Sequence, residues 1–333
     1  IMKAKNTNLN KAKKEKNDEF YTLLEDIEKE IGGGYLEYNP DLFKGKTVLC
    51  PCDDPTWSNF TLYFIQNFEK LGLKRLISSC YANPDITGET RGKVYILEQG
   101  DPIPTNLNDI HYHLLDGDGS FRSDEITRFR DSADFVITNP PFSLSIDFVT
   151  WLIESDCKFS FIGNKNHVGS KAFFPLIKNN KMWSGSLKWG SMNFIDHRSE
   201  DKTLKSIPAI WYTNIEFNRK TKPLELLTMQ ENLDKNPNLI ELGAYLEYEN
   251  YNAIEVPRTE AIPRDYDGVM GVPISFLDKY DPNQFEIVGI TTTWFNDPRY
   301  KKGKGCGVIM LNGVKVEKYS RILIKHKKPL AQN

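Results

Sequence analysis

The chain has 333 residues, 39% of them hydrophobic and 12% aromatic, enough to bury a sizeable core in one large domain or two modest ones. Its 43 Lys and Arg stand against 45 Asp and Glu, a net charge of −2, so no overall basic field marks a nucleic-acid binder and any such contact must use local patches. No run approaches the ~18 uninterrupted apolar residues of a membrane span, and the amino terminus is rich in Lys and Asn, which predicts a cytoplasmic protein without a membrane partner. The five cysteines, Cys50, Cys52, Cys80, Cys157 and Cys306, lack CxxC spacing, so they read as reduced thiols and exclude a disulfide framework and a structural zinc site.

Taken in chain order, residues 3–16 carry Lys3, Lys5, Lys11, Lys13, Lys14 and Lys16 against a single Glu15. Such a segment predicts a disordered basic arm over residues 1–16, which either trails along phosphates or only solubilises. From Lys46 short apolar runs at 47–51, 74–80, 111–115, 134–138, 158–163 and 207–215 alternate with amphipathic stretches near 56–70, 122–131, 143–155 and 171–179. Strands alternating with helices predict an α/β fold with a mainly parallel, doubly wound sheet. Ligands of such sheets bind beyond the carboxyl ends of the strands, so the loops after each run are the ones to inspect. Beyond about Thr221 the rhythm breaks into turn- and aromatic-rich sequence such as Tyr245–Tyr251 and Asp265–Pro273, with strand-like runs near 285–294 and 319–325. The expected division is a catalytic domain at 17–220 and a second region at 221–333.

Asn139-Pro140-Pro141-Phe142 follows the run Phe135–Thr138 directly, at the carboxyl end of a predicted strand. Proline fixes its own φ and pushes the residue before it into extended geometry, so Asn139 is held projecting from a stiff turn. That arrangement suits methylation of an exocyclic amine, whose lone pair is delocalised into its ring. If the Asn139 side-chain oxygen and the Pro140 carbonyl each accept one N–H, the nitrogen becomes more tetrahedral and its lone pair is freed for an electrophilic methyl. Phe142 offers a face for the base to stack on, worth roughly 1–3 kcal/mol, after the base has been flipped out of a duplex. The plain alternative is a rigid strand-to-helix turn.

The first predicted strand ends in Cys50-Pro51-Cys52-Asp53-Asp54-Pro55, where a nucleotide-type ligand would lie. No Gly-x-Gly occurs there, which weakens dinucleotide and ATP readings because pyrophosphate needs close backbone approach. S-adenosylmethionine carries no phosphate, and its amine and sulfonium suit the carboxylates of Asp53 and Asp54, although Asp54 equally suits a helix cap. In the loop Asp116-Gly117-Asp118-Gly119-Ser120-Phe121, Asp118 is placed to accept an adenine amino group and Phe121 to cover the ring; Asp-Gly sequences also simply make turns.

Other features read as bland or as DNA contacts. His111 and His113 share one strand face but have no third ligand, so no metal site is expected. Cys50 and Cys52 lack an accompanying His and read as loop packing. Lys181, Trp183, Lys188, Trp189, His197 and Arg198 form a basic, aromatic-interleaved stretch that suits a DNA face or a solvated hairpin. The DNA contacts expected are Lys14, Lys16, Lys181, Lys188 and Arg198, with Lys301, Lys302 and Lys304 extending the patch.

Together these residues resemble the EcoRI-type adenine-specific DNA methyltransferases. The matching segments are Lys16–Thr22, Cys52–Pro55 with Ser58–Phe60, Leu71–Lys74, Gly117–Gly119 with Phe121–Ser123, Thr138–Leu144 and Tyr266–Pro273, in one order along nearly the whole chain. The resemblance implies a seven-stranded S-adenosylmethionine-dependent sheet with a carboxyl-terminal target-recognition region, in the gamma motif order. It implies S-adenosylmethionine as donor, a flipped-out adenine in double-stranded DNA as substrate and N6-methyladenine as product. Phe20, Tyr21 and Thr22 match the motif around the methionine end of the cofactor, Cys50 to Asp54 the first loop, Asp118 and Phe121 the adenine end, and Asn139 to Phe142 the catalytic motif. Cys80 and Tyr81 stand where the broad methyltransferase pattern places an acidic residue on the ribose hydroxyls. A monomer in a restriction–modification setting, with a cognate restriction endonuclease acting on the same site, completes the expectation. Methylation of RNA or of a protein glutamine, or an inactive DNA-binding relative, are the alternatives.

Overall fold

The computed structural model describes residues 21–84, 88–187, 190, 192–195, 204–218, 223–291 and 305–327. Phe20, Lys14, Lys16, Lys188, Trp189, His197, Arg198, Lys301, Lys302 and Lys304 therefore lie outside the described residues. The described chain forms two compact units, one from residues 21–167 and 182–218 and one from 168–181 and 223–327.

The first unit contains β1 (Tyr21–Thr22), β2 (Thr47–Cys50), β3 (Arg75–Cys80), β4 (Lys93–Glu98), β5 (His113–Leu114), β6 (Phe135–Thr138), β7 (Lys158–Asn164), β8 (Trp183–Ser184), β9 (Met192–Ile195), β10 (Leu204–Ile207) and β11 (Ala209–Thr213). Eight of these make one sheet in the order β5-β4-β3-β2-β6-β7-β11-β8. β2 and β6 lie side by side at its centre and every residue of both is buried. Continuous apolar runs such as theirs are what a strand covered on both faces requires. Each run predicted as a strand forms one.

The expectation of a mainly parallel sheet needs correction. Only β3, β2, β6 and β7 run parallel to their neighbours among themselves, while β4, β5, β11 and β8 enter antiparallel. The reason on one side is β4, which the sequence reading did not mark as a strand. The chain after Cys80 doubles back, so Cys80 pairs with Lys93 and Arg75 with Glu98 in a long antiparallel ribbon. The described sheet thus has eight strands where the resemblance implies seven.

Helices Asn59–Gln66, Asp124–Ser132 and Ser145–Leu152 follow β2, precede β6 and follow β6. Ser58 and Ser123 cap the first two, their hydroxyls accepting from Phe60 N and Ile126 N. A small antiparallel sheet β1-β9-β10 carries the amino-terminal strand: Tyr21 pairs with Ile195 and Thr22 with Phe194. The helix Leu24–Glu30 continues as a π-helix through Ile31–Leu36. The fully buried Glu30 carboxylate there accepts from Tyr35 Oη at 2.5 Å, Ser186 N at 2.9 Å and Leu187 N at 3.0 Å.

The second unit contains β12 (Ile254–Glu255), β13 (Met270–Pro273), β14 (Phe285–Ile290), β15 (Val308–Leu311), β16 (Val314–Glu317) and β17 (Arg321–His326), with a sheet ordered β12-β13-β17-β14 and a β15-β16 hairpin. Tyr248 and Tyr251, from the aromatic-rich segment noted in the sequence, pack in its core with Val288, Ile309 and Leu323. The buried Glu255 is held by Arg321 at 2.7 Å and by the Tyr248 hydroxyl, which satisfies a charge that would otherwise be costly to bury. No helix among the described residues is long and apolar enough to cross a membrane.

Candidate active site

Because β2 and β6 are parallel neighbours, the loops leaving their carboxyl ends meet above the centre of the sheet. Asp53 joins them. Its carboxylate accepts from Ser58 Oγ at 2.7 Å, from Thr138 Oγ1 and from the backbone N–H of Asn139. Its own amide donates to Ser79 O at 2.9 Å and its carbonyl accepts from Ser78 Oγ at 2.8 Å, so the loop is also pinned to β3. The Cys52 amide donates to Thr138 Oγ1 at 3.3 Å. Burial pushes the Asp53 carboxyl up to about 7; the three donors pull it down and the charge of Asp54 adds to the rise.

Above this hub lies a cleft open to solvent. Tyr21, Thr22, Cys52, Asp53 and Asn139 line it, so five residues singled out in the sequence from three distant segments share one space. Trp57, Ser58, Asn59 and Phe60 complete the lining, and the sequence reading gave them no role. Ser58-Asn59 ahead of an apolar run is an N-cap signal that could have located them. Asn59 Nδ2 donates to Thr22 O at 2.7 Å, tying β1 to the helix Asn59–Gln66. The rings of Tyr21 and Trp57 meet at 4.1 Å between centroids and form an aromatic wall. Thr22 Oγ1 is buried without a hydrogen-bond partner among the described residues. An unsatisfied buried hydroxyl beside a cleft is a group whose polar partner fits a ligand.

Other predicted residues lie elsewhere. Cys50 is fully buried with its thiol pushed far up by burial, and Pro51 is buried beside it. Asp54 turns away from the cleft: Thr56 N and Oγ1 donate to its Oδ1 at 2.8 and 2.6 Å, and Lys93 Nζ lies 3.4 Å from Oδ2. The helix cap is Ser58, not Asp54. Cys80 donates to Asp54 Oδ2 at 3.4 Å, its thiol pushed up to about 12 by burial and then by the charge of Asp54. Tyr81 is 47% exposed.

Asp118 is exposed, with Oδ1 accepting from Ser120 N at 2.9 Å, which makes the Asp-Gly turn of the plainer reading. Its carbonyl accepts from Ala82 N at 2.8 Å, so this loop does sit at the end of β3. Phe121 is 5% exposed and packs edge-on against Phe148 and Trp151, because the capped helix that follows draws it into the core. That position does not present a ring face for adenine. Asn139 is half-buried on the cleft, Pro140 buried and Pro141 half-buried; Phe142 is 4% exposed, edge-on to Phe194 at 6.0 Å. The open stacking face expected of Phe142 is thus covered. His111 and His113 are exposed, and no group of three metal-ligating side chains occurs among the described residues. Lys181 is exposed, whereas Trp183 is half-buried and donates to Ile215 O at 3.3 Å.

A family model described as adenine-specific methyltransferase EcoRI matches residues 8–327. The chain belongs to that family. Type II methyltransferase M.EcoRI of Escherichia coli is 37% identical over 98% of both chains. Type II methyltransferases M.MpnI of Mycoplasma pneumoniae and M.MgeORF184P of Mycoplasma genitalium are 34% and 33% identical, each over 84% of both chains. A solved structure of a candidate RNA methyltransferase from Pyrococcus horikoshii aligns with 58% of this chain and 80% of its own at 15% identity. Its TM-score of 0.27 is too low to bear on the fold. The family assigns the chain to adenine-specific DNA methylation, an enzymatic activity, and the Type II names of the relatives place them in restriction–modification.

Proposed function

We propose that the chain transfers a methyl group from S-adenosylmethionine to N6 of a flipped-out adenine at a specific site in duplex DNA, in the cleft above β2 and β6. The observation that carries this reading is that Thr22, Asp53 and Asn139, from the amino-terminal, first-loop and Asn-Pro-Pro-Phe segments, line one cleft. Its polar and aromatic lining suits S-adenosylmethionine: an orphaned Thr22 hydroxyl, the Tyr21–Trp57 wall and no glycine-rich phosphate loop. When bound, that cofactor supplies an electrophilic methyl group on a cationic sulfur.

The chain's own part is to bind, orient and exclude. Asn139 accepts one N–H of the adenine amine through its side-chain oxygen and the Pro140 carbonyl accepts the other, which localises the lone pair on nitrogen without a covalent intermediate. The two prolines keep the turn from relaxing as charge develops. Phe142 stacks on the base only if DNA binding uncovers its ring, since 4% is exposed here. We read the short edge strand β5 as an addition to a seven-stranded methyltransferase sheet. Residues 17–220 then carry catalysis, 221–333 recognise the target, and the 1–16 arm with Lys14, Lys16, Lys181, Lys188 and Arg198 follows phosphates. A restriction endonuclease acting on the same sequence is the partner this implies.

Incubation with labelled S-adenosylmethionine and separate DNA, RNA and protein substrates tests the reading. Label in N6-methyladenine of duplex DNA is expected; label confined to RNA or protein overturns it. Methylome sequencing of a host expressing the protein then reports the modified atom and the sequence together.

A further inference from the structure

A carboxylate beside a cationic cofactor invites assignment as its ligand, but the bonds of Asp53 point inward. Both oxygens are taken by the protein: Oδ1 by Ser58 Oγ at 2.7 Å and Oδ2 by Thr138 Oγ1, with the Asn139 N–H as a third donor. Each donor belongs to a different working part. Ser58 caps the helix whose Asn59 holds Thr22 O, Thr138 ends β6, and Asn139 begins the catalytic turn.

We infer that Asp53 is a positioning residue for methyl transfer, its carboxylate holding the Asn139 backbone in register with the cleft wall built by Ser58, Asn59 and Thr22. This rests on the methyl transfer at Asn139 proposed above. Asp53 as a residue is 4% exposed, so its bonds to these donors are little diluted by water. The groups facing it from packed elements are few. On its own loop lie Cys50, Cys52 and Asp54, the last turned toward Lys93 of β4; on β3 lies Cys80, and on the cleft wall Tyr21. Ser58 and Thr138, which touch it directly, do not titrate. Protonation of Asp53 removes one of its acceptors, so the register should loosen on the acid side of about 7.

The test compares the full-length protein with Asp53→Asn, Thr138→Val and Thr138→Ser. Single-turnover methyl transfer to duplex DNA is measured from pH 5.5 to 8.5, and S-adenosylmethionine affinity by calorimetry. Asparagine keeps the size of the side chain but offers one acceptor oxygen instead of two. The expected result is a rate about 100-fold lower for Asp53→Asn, the loss associated with a small misplacement of a reacting group, with donor affinity unchanged. The acid limb of the wild-type profile should vanish in that variant. Thr138→Val should lose rate in the same way and Thr138→Ser should retain it.

Donor affinity falling in step with rate would make Asp53 a donor ligand and overturn the inference. So would an Asp53→Asn profile that keeps the wild-type acid limb, or wild-type rates in both Asp53→Asn and Thr138→Val. Wild-type protein that binds donor yet methylates no DNA would instead refute the proposed function, and this inference with it.

Discussion

Replacing Thr22 by valine separates the needs of the fold from the needs of the ligand. The residue is 4% exposed, its backbone fixed by pairing with Phe194 and by the Asn59 side chain, and its hydroxyl is buried without a partner among the described residues. Leaving a buried hydroxyl unsatisfied costs about 1–3 kcal/mol, and valine removes the hydroxyl while keeping the branched shape that suits a strand. Unliganded Thr22→Val should therefore be as stable as the native chain or more stable by about 1 kcal/mol, the lower end of that penalty. A hydrogen bond to a ligand contributes about 0.5–1.5 kcal/mol, so S-adenosylmethionine affinity should fall roughly 2- to 12-fold. Urea unfolding without ligand and calorimetric titration with S-adenosylmethionine measure the two effects, which have opposite signs. A variant destabilised by more than about 1 kcal/mol, or one that binds the donor as tightly as the native chain, refutes the argument that this hydroxyl awaits a ligand.

Asn139→Ala should lower turnover by orders of magnitude with donor affinity nearly intact, since the side chain is assigned to the amine; a methyl-transfer assay beside a donor titration checks this. Asp53 has its native pKa raised from 3.8 to about 7, so the native state binds its proton more tightly than the unfolded chain does. Its contribution to stability is then present below about pH 4 and is lost as pH rises through about 7, up to roughly 4 kcal/mol at 1.36 kcal/mol per unit. Asp53→Asn should flatten that fall in urea melts taken between pH 4 and 8. Gly119→Ala should destabilise by at least about 1–3 kcal/mol, the range for residues held in strained backbone regions, because φ there is +78° and a Cβ would sit 2.2 Å from Cys80 O. If phosphate contacts hold the DNA, the log–log slope of affinity against salt should approach about −0.9 per contact; a slope near zero would rule out the proposed basic face.

What the sequence showed about this chain divides along physical lines. β2 and β6 were legible because a strand buried on both faces has to be continuously apolar, and Asn139 was legible because two prolines announce a stiff turn. β4 was missed because its apolar stretch is only the four residues Val94–Leu97 between the charged Lys93 and Glu98, and its antiparallel direction depends on how the chain after Cys80 turns back. β1 is two residues long, too short for any periodicity, so Tyr21 and Thr22 came from family resemblance and not from pattern. Trp57 was missed for a different reason. It lies in the turn before a capped helix, and only the fold brings its ring to 4.1 Å from Tyr21.

The two acidic pairs show why residue type alone misleads at such a site. Asp53 and Asp54 are adjacent and both buried, yet one closes the hub under Asn139 while the other pairs with Lys93 and caps its own turn. Likewise Asp116 and Asp118 lie exposed in a turn where Gly119 answers a steric need and Gly117, beside open space, does not. A Cβ on Gly92 would meet Cys80 O at 2.6 Å and the Gly119 Cα at 2.6 Å, and one on Gly119 would meet Cys80 O at 2.2 Å. The close backbone approach that a phosphate-binding fold places in its first loop is found here one loop away, between the end of β3 and residues 117–119. That leaves the first loop free to carry side chains. In the first loop it is instead side-chain hydrogen bonding that fixes the backbone, Asp53 accepting from Ser58 and Thr138 and Asp54 from Thr56.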